Sequence, residues 1–333
     1  MKFLDKFLKR KTRGAVKSPT EALEQGHLPC QECGFLLPLE KLQALKMVQC
    51  PSCQNISFVP LRVGHFWLFQ PLGAGGMGSV YKAYHSEAPG ELFAVKILPR
   101  NERANPALIM ALLNEAQKAK IVGDHPCLVC CIASGYEDGE YFCATEFVLG
   151  ESLQLKIEMH GRLPEKEVLK IALHILAAEQ HIYNCGYLFR DLKPENVILN
   201  TEGYAIVFDY GLCVPLEDAR TKMDEFVSGS PYYIPPERLW GTGEDAFSEI
   251  YSLGMVVYYA LTGKTYYDAT EAESLAKRHL STVRVATSAK MKEFRPDLVA
   301  VLSKMIKQDP HERYQTFAEC RTAIQGLLAS MET

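Results

Sequence analysis

No stretch of this sequence stays apolar for the roughly 20 residues that a bilayer-spanning helix needs, and the longest runs, such as 253–263, stop well short. A transmembrane helix is therefore not expected. The N-terminus MKFLDKFLKRK has neither a continuous apolar segment nor a small-residue cleavage site, which argues against a secretory signal and places the chain in the cytoplasm. Internal repeats and low-complexity tracts are also missing. With 47% hydrophobic and 23% charged residues over 333 positions, the chain is too balanced to be disordered throughout. The formal net charge is only −4, and it is uneven. Lys2, Lys6, Lys9, Arg10, Lys11, Arg13 and Lys17 face Asp5 alone at the start, which leaves the remainder acidic. An acidic body of this kind gives no support to a nucleic-acid platform.

What is present divides the chain into segments. Residues 1–26 read as a basic N-terminal tail in which Phe3, Leu4, Phe7 and Leu8 form a short amphipathic stripe. Two readings stay open: a frayed, solvated tail, or peripheral contact of residues 1–17 with an anionic membrane. Eleven cysteines, an odd number mostly set in apolar segments, read as reduced core thiols rather than a disulfide framework. Four of them differ. Residues 27–58 contain CQECG and CPSCQ, giving C-x2-C-x16-C-x2-C through Cys30, Cys33, Cys50 and Cys53. Two turn-borne thiolate pairs can surround one Zn2+ tetrahedrally, as in a small zinc ribbon. About thirty residues bury too little surface to fold alone, so such a module would depend on its metal. Four sulfur ligands leave no open position, so its role would be structural or that of an adaptor for a partner. With only Lys41 and Lys46 as basic residues, it has no face for phosphates.

Residues 59–65 read as a linker, and residues 66–329 as the main body. Strand-like segments come first, up to about residue 147, and helical patterns dominate from 148 to 329. The segment 164–184 illustrates the latter: proline first, acids in the first turn, and Val168, Ala172, Ile175 and Leu176 on one face. Strands followed by helices imply a two-lobed α+β body.

The chemistry concentrates in five places. Gly73, Gly75 and Gly78 form G-x-G-x-x-G between two strand-like segments, where backbone can approach phosphates. A dinucleotide-binding turn would want a helix afterwards, whereas SVYKAYH reads as a strand. Lys96 sits inside the apolar strand FAVKIL, a costly position without an anionic neighbour. Glu115, on the largely apolar helix PALIMALLNEAQKAKIV, can supply that charge, as can an ATP phosphate pair. Then RDLKPEN brings Asp191, Lys193 and Asn196 together, and FDYG adds Asp209. Asn196 and Asp209 suit Mg2+, which takes few protein ligands alongside phosphate oxygens.

In this order the motifs resemble the eukaryotic-like protein kinases, and GAGGMGSVYKA resembles the bacterial serine/threonine kinases of Hanks type. The resemblance covers about residues 66–328. It implies the protein kinase fold, with a β-rich N-lobe and a helical C-lobe preceded by the zinc ribbon. It implies ATP and Mg2+, with Gly73, Gly75 and Gly78 in the loop that covers the phosphates, Leu72 and Gly76 among the ATP-binding residues, and Lys96 paired to Glu115. Val80, Ala94 and Ile198 would enclose the adenine, with the backbone of Glu146 and Val148 at its edge and Thr145 as gatekeeper. Asp191 would be the catalytic aspartate with Lys193 beside it, and Asn196 and Asp209 the magnesium ligands.

The same resemblance implies that Ser230 contacts Asp191 and Lys193, and that Arg313 pairs with Glu237. Arg190 would pair with a phosphate on Thr221 or Ser228. Three positions depart from the pattern: Phe189 for histidine, Tyr210 for phenylalanine, and Glu249 for the aspartate that anchors the catalytic loop. The expected function is phosphorylation of serine and threonine hydroxyls on protein substrates in signalling. The alternative is a pseudokinase scaffold that recruits a partner through the zinc ribbon.

Overall fold

The computed structural model describes residues 19–75, 78–221, 229–281 and 286–331. The chain forms two compact units, one from residues 1–123 and 130–147, the other from 124–129 and 148–333. The fold class is the expected mixed α+β one, strand-rich in the first unit and helical in the second.

The first unit begins with the short helix α1 (Thr20–Glu24) and the strands β1 (His27–Pro29), β2 (Leu36–Pro38), β3 (Met47–Gln49) and β4 (Ile56–Phe58). β1 pairs with β2 and β3 with β4, both antiparallel, so that each cysteine pair lies on the turn of its own hairpin. Next come β5 (Leu61–Val63), β6 (Phe66–Gly75), β7 (Gly78–His85), β8 (Ala88–Ile97), helix α2 (Pro106–Val122), β9 (Cys131–Glu137) and β10 (Glu140–Glu146). They form an antiparallel sheet in the order β5-β6-β7-β8-β10-β9. Burial alternates along FAVKI, placing Phe93, Val95 and Ile97 in the core and Ala94 and Lys96 on the opposite face. Asn105 caps α2 by accepting a hydrogen bond from the Ala107 amide, and Pro106 takes the first helical position.

Two boundaries differ from the sequence reading. Residues 59–65 are not a free linker, because Leu61–Val63 pairs with Phe66–Leu68 as the edge strand of the sheet. The end of the N-terminal segment is not a free tail either. Leu23 is buried, and Glu24 accepts a 2.6 Å hydrogen bond from the Trp67 indole. One cluster joins Leu23, Leu28, Cys30, Leu37, Cys50, Val59 and Trp67, so the cysteine module shares its core with the sheet. Burying apolar surface against Trp67 compensates for the little that the module buries by itself.

The second unit runs β11 (Gly150–Ser152), α3 (Leu153–His160), α4 (Glu165–Asn184), β12 (Tyr187–Leu188), β13 (Val197–Asn200), β14 (Ala205–Val207) and β15 (Val214–Pro215). The helices α5 (Leu216–Arg220), α6 (Pro236–Trp240), α7 (Ala246–Thr262), α8 (Ala272–Leu280), α9 (Thr287–Lys290), α10 (Pro296–Met305) and α11 (Phe317–Ser330) follow. A capping box between Asp245 and Ser248 starts α7, whose residues are buried on nearly every side. No helix among the described residues is long and apolar enough to cross a membrane.

The expected Arg313–Glu237 pair is present and fully buried. Both guanidinium nitrogens reach the carboxylate, at 2.7 and 2.9 Å, and the Ser248 hydroxyl donates to the same carboxylate at 2.7 Å. Removing the cation strands a buried carboxylate. Arg313→Met is expected to lower the free energy of unfolding by about 3–5 kcal/mol, measured by urea denaturation. A change under about 1 kcal/mol would contradict a structural role for the pair.

Candidate active site

Within the first unit, Lys96 Nζ lies 2.6 Å from Glu115 Oε2. Strand β8 carries the lysine and α2 the glutamate, so sheet and helix packing bring together residues that lie nineteen apart in the chain. Cross-strand register sets Val80 opposite Lys96 and Thr145 opposite Ala94, and paired residues share a face. Val80, Ala94, Lys96 and Thr145 therefore line one side of the sheet. Thr145 donates to the Ala94 carbonyl at 3.3 Å. The amide of Glu146 donates to the Cys130 carbonyl, and its carboxylate accepts from the Cys130 amide.

The glycines divide by cause. A Cβ on Gly73 would meet nothing within 4 Å, which leaves open space beside that strand. A Cβ on Gly78 would stand 2.5 Å from the Ile97 carbonyl oxygen, and its φ of +153° lies outside the usual range. Gly78 is thus demanded by the neighbouring strand as well as by any ligand. Leu72 is exposed on β6, and Gly76 lies outside the described residues.

In the second unit, Asp191 is buried and accepts from Lys193 Nζ at 3.0 Å and from Asn196 Nδ2 at 2.9 Å. Asn196 also donates to the Asp191 carbonyl at 3.0 Å, closing the loop on itself. Burial raises the Asp191 pKa, Lys193 opposes that rise, and Asp209 adds to it by repulsion. Asp209 has a left-handed backbone, φ 73°, and its carboxylate accepts from the Gly211 amide. Asn196 and Asp209 present amide and carboxylate oxygens, the donor types that Mg2+ takes. Ile198 is half-buried on β13 and Val148 half-buried just before β11.

The departures find physical partners. Phe189 and Tyr210 pack edge to face, with ring centres 6.3 Å apart, and the Tyr210 hydroxyl donates to the Val129 carbonyl at 2.8 Å. Glu249 reaches the loop that carries Asp191 despite its extra methylene, because both its oxygens accept from the Arg190 amide, at 3.0 and 3.2 Å. Among the described residues no hydrogen bond joins Ser230 to Asp191 or Lys193, whose partners are each other and Asn196. Thr221 is exposed and donates to the Asp218 carbonyl, and Ser228 lies outside the described residues.

In the cysteine module, Cys30 and Cys53 sulfurs lie 3.6 Å apart, as do those of Cys33 and Cys50. All four fall within 4.8 Å of one another. A tetrahedron with Zn–S near 2.3 Å has sulfurs about 3.8 Å apart, so the cluster fits the ion. Amides of Cys33 and Glu32 pull the Cys30 thiol down to about 6. The two cysteine hairpins repeat one turn, since the Gly34 and Gln54 amides donate to the Cys30 and Cys50 carbonyls.

The sequence reading missed a set of buried charges around the loop. Glu179 on α4 is 1% exposed, and neither of its oxygens finds a hydrogen-bond partner among the described residues. Its spacing from Ile175 and Leu176 places it on the apolar face of α4, a signal available in the sequence. Burial raises its pKa, and the charge of Glu249 raises it further. Arg238 and Glu244 are equally buried and carry no such periodic signal.

The profile of the protein kinase domain family matches residues 66–324. The chain belongs to the protein kinase domain family. It is similar to the serine/threonine-protein kinase PrkC of Bacillus subtilis, 31% identical over 266 residues, covering 79% of this chain and 40% of that protein. Against the serine/threonine-protein kinase PknB of Mycobacterium tuberculosis the figures are 28% over 256 residues, 75% and 41%. The chain thus spans about two fifths of the length of these relatives.

The buried pair Glu179 and Glu249 makes stability depend on pH. Burial pushes Glu249 up to about 7, ahead of the opposing pull of Arg238, and Glu179 also rises. Both hold protons more tightly folded than unfolded. Both contributions are complete below the ordinary value of 4.5, and that of Glu249 is lost as pH rises through about 7. Glu179→Gln is expected to flatten the fall in Tm between about pH 5 and about pH 8. Parallel Tm curves for variant and wild type would contradict this coupling.

Proposed function

We propose that the chain transfers the γ-phosphate of ATP to serine or threonine hydroxyls of proteins. The observation that carries this reading is the set around Asp191: a buried carboxylate held by Lys193 and Asn196, with its proton affinity raised by burial. The substrate hydroxyl would donate its proton to Asp191 as the oxygen–phosphorus bond forms and the bond to the β-phosphate oxygen breaks. Lys193 would neutralise charge at the entering oxygen. Lys96, oriented by Glu115, would hold the α- and β-phosphates under Gly73, Gly75, Gly76 and Gly78. Val80, Ala94 and Ile198 would flank the adenine, with Leu72 at its rim and the backbone of Glu146 and Val148 at its edge. Asn196 and Asp209 would hold Mg2+, which supplies charge neutralisation to the phosphate oxygens.

The retained Lys96–Glu115 pair favours this over a pseudokinase scaffold, because an unused lysine in an apolar strand only costs desolvation energy. The family and the serine/threonine kinases it resembles support the hydroxyl class of substrate. Cys30, Cys33, Cys50 and Cys53 would bind one structural Zn2+. Because their core is shared with Trp67, the metal would brace the sheet as well as its own hairpins.

With Mg2+, labelled ATP and a generic protein substrate, Asp191→Asn is expected to lower transfer by about 10²- to 10⁴-fold. Wild type no more active than the variant would defeat the kinase reading. Protein purified without added metal is expected to carry about one Zn2+ per chain, lost in Cys30→Ser/Cys53→Ser, with a drop in Tm. A metal-free protein with unchanged Tm would count against the zinc assignment.

A further inference from the structure

Arg190 is the residue through which the catalytic loop meets the rest of its unit, and every polar route from it is buried. Its amide is held by Glu249. Its carbonyl accepts from Arg238 Nη1 at 2.7 Å. Its guanidinium lies 2.8 Å from Glu244 Oε1. The other oxygen of Glu244 accepts from Arg238 Nε at 2.8 Å and sits 2.7 Å from Arg238 Nη2. Glu244 therefore bridges two arginines, one of which holds Arg190 from the other side. All three side chains are nearly inaccessible, at 2–5% exposure.

Arg190 also has a left-handed backbone, φ 68°, which a non-glycine residue keeps only where its surroundings impose it. The bridge is tied to the segment that follows Asp209. The Glu244 amide donates to the Ala219 carbonyl at 2.7 Å, and Arg220 Nε reaches Asp245 at 2.7 Å. A Cβ on Gly229 would stand 3.0 Å from Arg238 Nη1, so the chain beyond the segment returns directly onto the same cluster.

We propose that Glu244 is a positioning residue that supplies, from within the fold, the negative charge that orders Arg190, so that the catalytic loop is set without a phosphate on Thr221 or Ser228. This deepens the kinase reading and rests on it for its consequence in catalysis, while its structural content stands on the buried bridge. A phosphate could order the loop through Arg190 only by displacing a carboxylate already within hydrogen-bond distance and already shared with Arg238. Thr221, exposed and bonded to the Asp218 carbonyl, makes no hydrogen bond to Arg190 among the described residues. Glu244 acts on Asp191 through the backbone of the preceding residue and touches neither Asp191 nor Lys193.

The test compares the full-length protein after phosphatase treatment, verified by mass, with untreated protein and with Glu244→Gln and Glu244→Asp. Two readouts are taken: hydrogen exchange of the peptide containing Arg190, and phosphate transfer. Phosphatase treatment is expected to leave both unchanged. Glu244→Gln is expected to speed exchange of that peptide at least about tenfold. In the transfer assay it is expected to lower kcat by about a hundredfold with the KM for ATP within about twofold, and Glu244→Asp to recover part of both losses. Loss of loop protection on phosphatase treatment overturns the proposal, and so does a Glu244→Gln protein with wild-type protection. If Glu244→Gln does not fold, phosphatase-treated wild type decides alone. If wild type transfers no phosphate, the kinase reading fails, and the exchange comparison still decides the role of Glu244.

Discussion

A buried carboxylate such as Asp191 keeps a fixed direction only if its backbone is fixed, and here that constraint falls on Arg190. The residue has a left-handed φ, sits one position before Asp191, and is gripped through its amide, its carbonyl and its guanidinium. The grip requires charges inside the protein. Glu249, Glu244 and Arg238 are all buried, and each would be costly alone. They are tolerated as a set because each carboxylate faces an arginine or an amide. Glu179 stands apart. Buried, with no donor for its oxygens among the described residues and the Glu249 carboxylate beside it, Glu179 is carried most easily as the neutral acid, which links the stability of the unit to pH.

The first unit shows a different economy. Its small cysteine module cannot bury enough surface to stand alone, and the structure shows where the remainder is found: Leu23, Leu28, Leu37 and Val59 close over Trp67 on strand β6. The same strand leads into the glycine-rich turn, so the hairpins that gather four thiols and the sheet that carries Lys96 share one framework.

Much of this was legible along the chain. The alternating burial of FAVKI, the spacing of the four cysteines, and the apolar stripe of 164–184 are local periodicities, and local periodicity survives into the fold because backbone geometry imposes it. The pairings Lys96–Glu115 and Arg313–Glu237 followed from the family's pattern, and the structure shows both. Less legible was 59–65, whose strand is three residues long and is stabilised only by its partner. Ser230 makes no hydrogen bond to Asp191 or Lys193 among the described residues, where Lys193 and Asn196 both donate to Asp191 Oδ2. The glycine at 78 was read for its openness to phosphate, whereas the neighbouring Ile97 carbonyl also forbids a side chain there.

By itself the sequence determined which chemical groups are available and in what order: the glycines, Lys96, Glu115, Asp191, Asn196, Asp209 and the four thiols. Each is announced by a motif of fixed short spacing or by a residue type out of place in its pattern. Tertiary structure alone decided how the departures are accommodated. Whether Glu249 reaches the Arg190 amide, whether Glu244 meets two arginines, and whether Glu179 meets any donor depend on the packing of α4, α6 and α7 against a loop up to fifty-nine residues away. Long-range contacts between charged groups leave no periodic trace in a sequence, since their energy depends on distance and dielectric in the folded state and not on separation along the chain.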